Sequence, residues 1–253
     1  MSDARVNAGA GRVAVVTGAA RGIGQAIALR LAEAGHAMAL GDVRPAEQTA
    51  KQITNGGGDA LSVPCDLSSA AGVDQLVGAV GDRYGRCDVL VNCAGLMLFR
   101  PFAEVDLDTW RRIQAVNVEA AFQLCAAFVP GMTERGFGRI VNVASNTMWK
   151  PPGAGFVPYI ASKGAVVGFT RALAVELGAS GITVNAIAPG LTRSPGAEEG
   201  NTEEHFTEVR LAQAVKRSAE PGDMAGAVAF LASDDAAMIT GQTLRIDGGL
   251  VTL

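Results

Sequence analysis

The chain has 253 residues, 49% of them hydrophobic and 18% charged, which excludes a disordered tail or a fibre and suits one sizeable domain with a buried core. Twenty-one Lys and Arg against 25 Asp and Glu leave a formal charge of -4, so no basic field exists to attract nucleic acid or an anionic membrane. Four cysteines without a CxxC pair, and only two histidines, give no basis for a metal site and suggest reduced, buried thiols.

The first residues, MSDARVNAGAGR, lack the apolar block of a secretion signal, and no uncharged run is long enough to span a bilayer. A cytoplasmic protein with no membrane partner is expected. RVAVVTG reads as a strand ending at Gly18, and IGQAIALRLAEAG, with Ile23, Ile27 and Leu31 at helical spacing, as a helix stopped by Gly35. MALGD gives a second strand ending in Asp42. AEQTAKQITNGGG supplies a helix with its glycine stop, and ALSVPCD a third strand. From Ser68 to Gly85, Val73, Leu76, Val77 and Val80 share one helical face, and CDVLVNCAG follows as a strand stopping at Asn92. A long helix from about Asp108 to Arg135 precedes the strand in GRIVNVAS. Another from Pro158 to Gly178 precedes GITVNAIAPG. A helix from about Gly222 to Ser233 leads to a last strand in QTLRIDGG. Short strands that are apolar throughout, alternating with helices, predict a parallel sheet covered on both sides. No linker divides the chain, so residues 1–253 are expected to form a single domain. Residues 191–207 are dense in turn and acidic residues and read as a mobile substrate-side loop or lid.

The glycines mark a ligand. Gly18, Arg21, Gly22, Ile23 and Gly24 occupy the first strand-to-helix turn, where the backbone can approach a pyrophosphate and helix N–H groups can face it. The spacing is GxxxGxG, a weak signal alone. It gains weight from Asp42, with Val43 beside it, at the end of the next strand, where a carboxylate can accept hydrogen bonds from a ribose diol. The same charge repels a 2'-phosphate, so NAD is expected over NADP. Arg21 and Arg44 pull the other way, as cations within reach of such a phosphate. Cys65, Asp66 and Leu67 close the third strand, with Asp66 expected near the adenine edge. Asn92, Ala94 and Gly95 lie where the fourth strand passes close to the cofactor.

Tyr159 and Lys163 are four apart in YIASK, so a helix puts them on one face. A phenol is a poor base near neutrality, but a nearby ammonium and an oxidised nicotinamide would favour its phenolate. Tyr159 can then take an alcohol proton as hydride leaves the same carbon, and Lys163 can also bind the nicotinamide ribose. Ser145, after the apolar run GRIVNVA, sits at the ligand-binding edge of the sheet and can donate to the substrate oxygen. Asn117 lies in an otherwise apolar helix, where a local break holding water would connect Lys163 to solvent.

These motifs run the length of the chain: TGAARGIG, NCAG, NVEAAF, NVAS, YIASK, NAIAPG and ITGQTLRIDGG. The sequence resembles the short-chain dehydrogenase/reductase family throughout. The resemblance implies an α/β fold, a single doubly wound Rossmann-type domain of about seven parallel strands with helices on both faces, assembled as a homotetramer. It also implies a catalytic group at Asn117, Ser145, Tyr159 and Lys163, with Ile187, Pro189 and Gly190 flanking the nicotinamide and Thr192 contacting its carboxamide. The family's NNAG is altered here, since Cys93 replaces its second asparagine.

The substrate wall is expected from Ser145, Thr147, Met148, Trp149, Phe156 and Tyr159, with Leu96, Met97, Leu98 and Phe99 nearby. That composition is largely apolar or aromatic. The expected function is NAD(H)-dependent interconversion of a secondary alcohol and its ketone. A 3-oxoacyl-carrier-protein reductase is an alternative, weakened by Asp42 and by Ser180, where such enzymes often carry an arginine. A sugar, polyol or pyridoxal-type alcohol dehydrogenase, or a non-catalytic dinucleotide-binding regulator, are others.

Overall fold

The computed structural model describes residues 11–252; the outermost residues of the expected 1–253 domain, including most of the N-terminal stretch MSDARVNAGAGR, lie outside the described residues. Within them, seven strands form one sheet: β1 (Val13–Thr17), β2 (Ala37–Asp42), β3 (Ala60–Pro64), β4 (Val89–Asn92), β5 (Gly138–Val143), β6 (Ile182–Pro189) and β7 (Thr243–Ile246). All pairs are parallel, in the order β3-β2-β1-β4-β5-β6-β7.

Side chains alternate across each strand, so successive residues enter opposite layers. Ala14 and Val16 join one apolar cluster with Ile27, Leu31 and Val228. Val15 joins the other, with Leu76, Leu124 and Ile182. The first layer is built by α1 (Gly22–Glu33), α2 (Glu47–Asn55) and α9 (Pro221–Ala232). The second is built by α3 (Ala70–Tyr84), α5 (Ala120–Arg135) and α6 (Val157–Leu177). Burial on both faces explains why the inner strands are largely apolar, with Arg139, Asn142, Thr183 and Asn185 as buried polar exceptions, whereas the edge strands β3 and β7 are half-exposed. Cys65, Cys87 and Cys125 are buried and Cys93 half-buried, all as free thiols.

Two elements differ from the sequence reading. The helix expected from Asp108 to Arg135 is α4 (Leu107–Gln114), a π-helical turn (Ala115–Glu119) and α5. That 29-residue run is apolar enough by length and composition to cross a bilayer; Leu124, Cys125, Phe128 and Met132 turn its apolar side into the second core layer. Residues 191–207 are more ordered than a loop. They carry α7 (Pro195–Glu198) and the start of α8 (Glu203–Ala212), because Pro195 stands at the first helical position and the Thr202 hydroxyl accepts from His205 N–H at 3.2 Å.

Candidate active site

Neighbouring strands β1 and β4 send their chains to opposite faces of the sheet, β1 into α1 and β4 towards α4 and α5. Such a switch point opens a crevice at the C-terminal edge. Gly18 and Gly22 line it with φ of +69° and +63°, a region costly for any residue with a side chain. A Cβ on Gly18 would come within 3.0 Å of Ala94 Cα, and one on Gly24 would overlap the Gly18 carbonyl oxygen. Arg21, at the N-cap of α1, makes no side-chain cap, and no acidic residue stands in the first turn. This cradle, with an uncompensated helix start, fits the pyrophosphate of a dinucleotide.

Asp42 is fixed beside the cradle. Its carboxylate accepts from Ala20 N–H at 3.0 Å and from Arg44 N–H at 2.9 Å. Val43, next to it, is exposed. Arg21 is directed elsewhere, onto Glu199. Asp66 is exposed and accepts from Ser68 N–H at 2.9 Å, which holds its carboxyl below the ordinary value. The side chains of Cys65 and Leu67 are buried in the second layer, and burial pushes the Cys65 thiol up to about 11, so at these two positions only the backbone reaches the strand edge. The Asn92 side chain is likewise buried beneath the crevice. It donates to Asn142 Oδ1 at 2.8 Å, while its own Oδ1 has no hydrogen bond.

The reaction group gathers at the ends of β4 and β5. Lys163 is buried and its Nζ donates to the Val143 carbonyl at 2.7 Å, docking α6 against β5. The ammonium lies 5.7 Å from the centre of the Tyr159 ring. Burial lowers Lys163 to about 8, opposed by the nearby Cys93 thiol. From the protein's own groups alone, burial raises the Tyr159 phenol and a hydrogen bond with Ser145 pulls the other way. Desolvation is the larger effect. Ser145 follows β5 and is buried; its Oγ accepts from the Thr147 N–H at 3.3 Å and the Thr147 hydroxyl at 3.0 Å.

Asn117 sits in the π-helical turn with its amide fully engaged. Its Oδ1 accepts from Leu96 N–H at 2.7 Å, and its Nδ2 donates to Leu96 O at 3.0 Å and Ser162 Oγ at 2.9 Å. The side chain thus pins the segment after β4 to α6. Gly95 lies between, and a Cβ there would stand 3.5 Å from Lys163 Nζ and 3.7 Å from Asn117 Oδ1.

On the substrate side, Met148 and Trp149 pack on an apolar cluster from α6 and β6, and Arg245 covers the Trp149 ring at 5.2 Å. Phe156 meets Phe99 edge-to-face at 5.4 Å. Pro189 ends β6, and Gly190 N–H donates to Ile246 O at 2.9 Å. Thr192 is buried and donates to Gly190 O at 3.0 Å. Two supporting residues escaped sequence reasoning. Thr17 Oγ1 accepts from Cys93 and Ala94 N–H groups at 3.0 and 2.9 Å, joining the ends of β1 and β4. Asp247 is buried and accepts from Gly249 and Val251 N–H and from Asn146 Nδ2. A polar residue ending an otherwise apolar strand is the available signal for Thr17; Asp247 follows the mixed strand TLRI and carries no such signal.

Known proteins share this architecture. A family model described as enoyl-(acyl carrier protein) reductase matches residues 18–251. The (2S)-[(R)-hydroxy(phenyl)methyl]succinyl-CoA dehydrogenase subunit BbsD of Thauera aromatica is 40% identical over 242 residues, covering 94% of this chain and 96% of that protein. The 3-oxoacyl-[acyl-carrier-protein] reductase FabG of Vibrio cholerae is 38% identical over 242 residues, covering 95% of this chain and 97% of its own length. A blue fluorescent protein from a metagenomic library, solved in complex with NADPH, is 36% identical with a TM-score of 0.91, covering 98% of this chain and all of that one. Identity of this extent along nearly the whole length, on a seven-stranded parallel sheet, makes this chain a member of the short-chain dehydrogenase/reductase family of oxidoreductases.

Proposed function

We propose that the chain is an NAD(H)-dependent oxidoreductase that interconverts a secondary alcohol and its ketone, with Tyr159 as acid/base. The observation that carries this reading is Tyr159 one helical turn before a buried Lys163, whose Nζ is anchored at 2.7 Å to the end of the strand that presents Ser145. A nicotinamide dinucleotide, when bound, supplies the hydride acceptor or donor. In oxidation, Ser145 Oγ donates to the substrate oxygen and Tyr159 Oη removes its proton; in reduction Tyr159 returns the proton to that oxygen. Lys163 favours the phenolate through its charge and holds the nicotinamide ribose. A water at the π-helical turn containing Asn117 links Lys163 to solvent. Phe156, with Thr147, Met148 and Trp149, shapes the wall that receives the rest of the substrate.

Asp42 supports NAD over NADP, because a carboxylate held at the edge of the glycine cradle accepts from a ribose diol and repels a 2'-phosphate. The test is NADH absorbance across a panel of secondary alcohols and cyclic ketones, run with both cofactors. Tyr159→Phe is expected to lower kcat by about 10²- to 10⁴-fold; an undiminished rate would remove Tyr159 from the proton transfer. Asp42→Ala is expected to lower the NAD/NADP ratio of kcat/KM by about tenfold, the worth of one hydrogen bond to a charged group. A second reading, reduction of a 3-oxoacyl thioester, is favoured by the name of the Vibrio cholerae relative. Faster NADPH-linked turnover of such a thioester than of any simple ketone would select it.

A further inference from the structure

Two arginines stand near the ribose-selecting carboxylate, and one acidic residue faces both. Arg21 begins at the root of the cradle with an extended backbone (φ -156°, ψ 166°). The N–H of its predecessor, Ala20, is donated to Asp42, so the Arg21 side chain starts beside the position of the adenosine ribose. Its guanidinium forms a two-pronged pair with Glu199: Nη1–Oε1 is 2.5 Å and Nη2–Oε2 is 3.2 Å. One N–H edge of the guanidinium is then matched to both carboxylate oxygens, the fork a guanidinium otherwise offers to a phosphate. Arg44, on the far side of Asp42, also draws on the Glu199 carboxylate electrostatically.

Glu199 is brought there by packing. Residue 22 has no side chain, and a Cβ on it would lie 3.2 Å from Ser194 Cβ and 3.5 Å from Pro195 Cδ. The start of α7 therefore rests on the cradle. Glu199, one residue past the end of α7, donates its N–H to Pro195 O at 3.1 Å. The segment is further held by Arg193, paired with Glu203 at 2.5 Å and Glu198 at 3.8 Å.

We propose that Glu199 is a second cofactor-selectivity residue: it occupies the guanidinium fork of Arg21 that a 2'-phosphate would need, and adds its own negative charge to that of Asp42. The proposal rests on the NAD(H) reading above. Asp42 refuses the phosphate at the diol, while Glu199 withdraws the cation that would compensate. An NADP-binding state must break the Arg21–Glu199 pair or share it with a third anion; an NAD-binding state leaves it intact.

The test is a binding titration, independent of turnover, of 2',5'-ADP against 5'-ADP, with wild type, Glu199→Gln, Arg21→Ala and the double variant. Glu199→Gln is expected to tighten 2',5'-ADP about three- to tenfold relative to 5'-ADP, and the gain is expected to shrink at high salt. It should vanish in the Arg21→Ala background. An unaltered ratio in Glu199→Gln, an equal tightening of both ligands, or a gain that survives Arg21→Ala overturns the proposal. Titrating wild type with NAD and NADP in the same series keeps the two readings apart. A wild-type preference for NADP defeats the Asp42 argument, while an Arg21-dependent gain in Glu199→Gln still upholds the role of Glu199.

Discussion

His36 and Lys163 are both buried bases, yet burial has different consequences for them. Lys163 has the Val143 carbonyl as a partner for its ammonium. His36 has Nδ1 buried with no hydrogen bond, and burial, reinforced by the Arg12 charge and opposed by Asp88, lowers it from 6.5 to about 4. A base with a depressed folded pKa binds fewer protons folded than unfolded between those two values. Stability therefore rises with pH across that window: it is fully present above about 6.5 and is lost as pH falls towards 4. At about 1.4 kcal/mol per unit the linked loss approaches about 3 kcal/mol. Urea unfolding of wild type and His36→Leu at pH 7.5 and 4.5 checks this. The variant is expected to lose less stability than wild type between the two, since the carboxylates titrate alike in both; parallel losses would mean that His36 is not the responsible group.

At the scale of the element, the glycines of the cradle and those on helix surfaces have opposite roles. Gly24 lies in α1 against the Gly18 carbonyl, with no room for a methyl group, whereas nothing lies within 4 Å of a Cβ on Gly78 of α3. Gly24→Ala is expected to cost about 1–3 kcal/mol through overpacking and to weaken dinucleotide binding. Gly78→Ala is expected to stabilise by up to about 1 kcal/mol through helix propensity. Thermal unfolding with and without NAD compares them, and equal midpoints would remove the steric role of the turn. The same contrast shows what the chain disclosed about itself. Strands such as VAVVT and VLVN are legible because burial on both faces leaves no polar position before their last residue, and the strand-turn-helix order exposes the crevice. Tyr159 and Lys163 are legible because their relation is four residues long and local to one helix. The π-helical turn was hinted at only by a polar Asn117 in an apolar stretch, since what engages its amide is Leu96 and Ser162, 21 and 45 residues away. The pairing of Arg21 with Glu199 spans 178 residues and leaves no trace in periodicity. The helices α7 and α8 carry start signals, Pro195 and the Thr202 cap, set among residues that also make turns.

For the whole molecule, large apolar side chains are left uncovered on the helices flanking the sheet and near its β7 edge. Phe122 on α5 stacks edge-to-face with Phe169 on α6 at 6.5 Å, and Val175 of α6 is 87% exposed on the same pair of helices. Phe230 of α9, Leu244 of β7 and Met238, 96% exposed, are uncovered as well. Large apolar residues left exposed in clusters are costly in a monomer. The family resemblance implies a homotetramer, and we propose one in which each of these groups lies at a face related by a two-fold axis, two such faces closing a particle of four chains. Light scattering is expected to give four chains per particle. Val175→Glu should reduce this to two chains held by the α9 and β7 face, Met238→Glu to two chains held by α5 and α6, and the pair together to one. A monomeric wild type, or tetramers in both single variants, would contradict the arrangement. The two faces are not equivalent for chemistry, because α6 carries Val175 near one end and Tyr159 with Lys163 at the other. If assembly steadies the reaction group through that helix, Val175→Glu lowers kcat more than Met238→Glu does, although both variants lose the same number of neighbours.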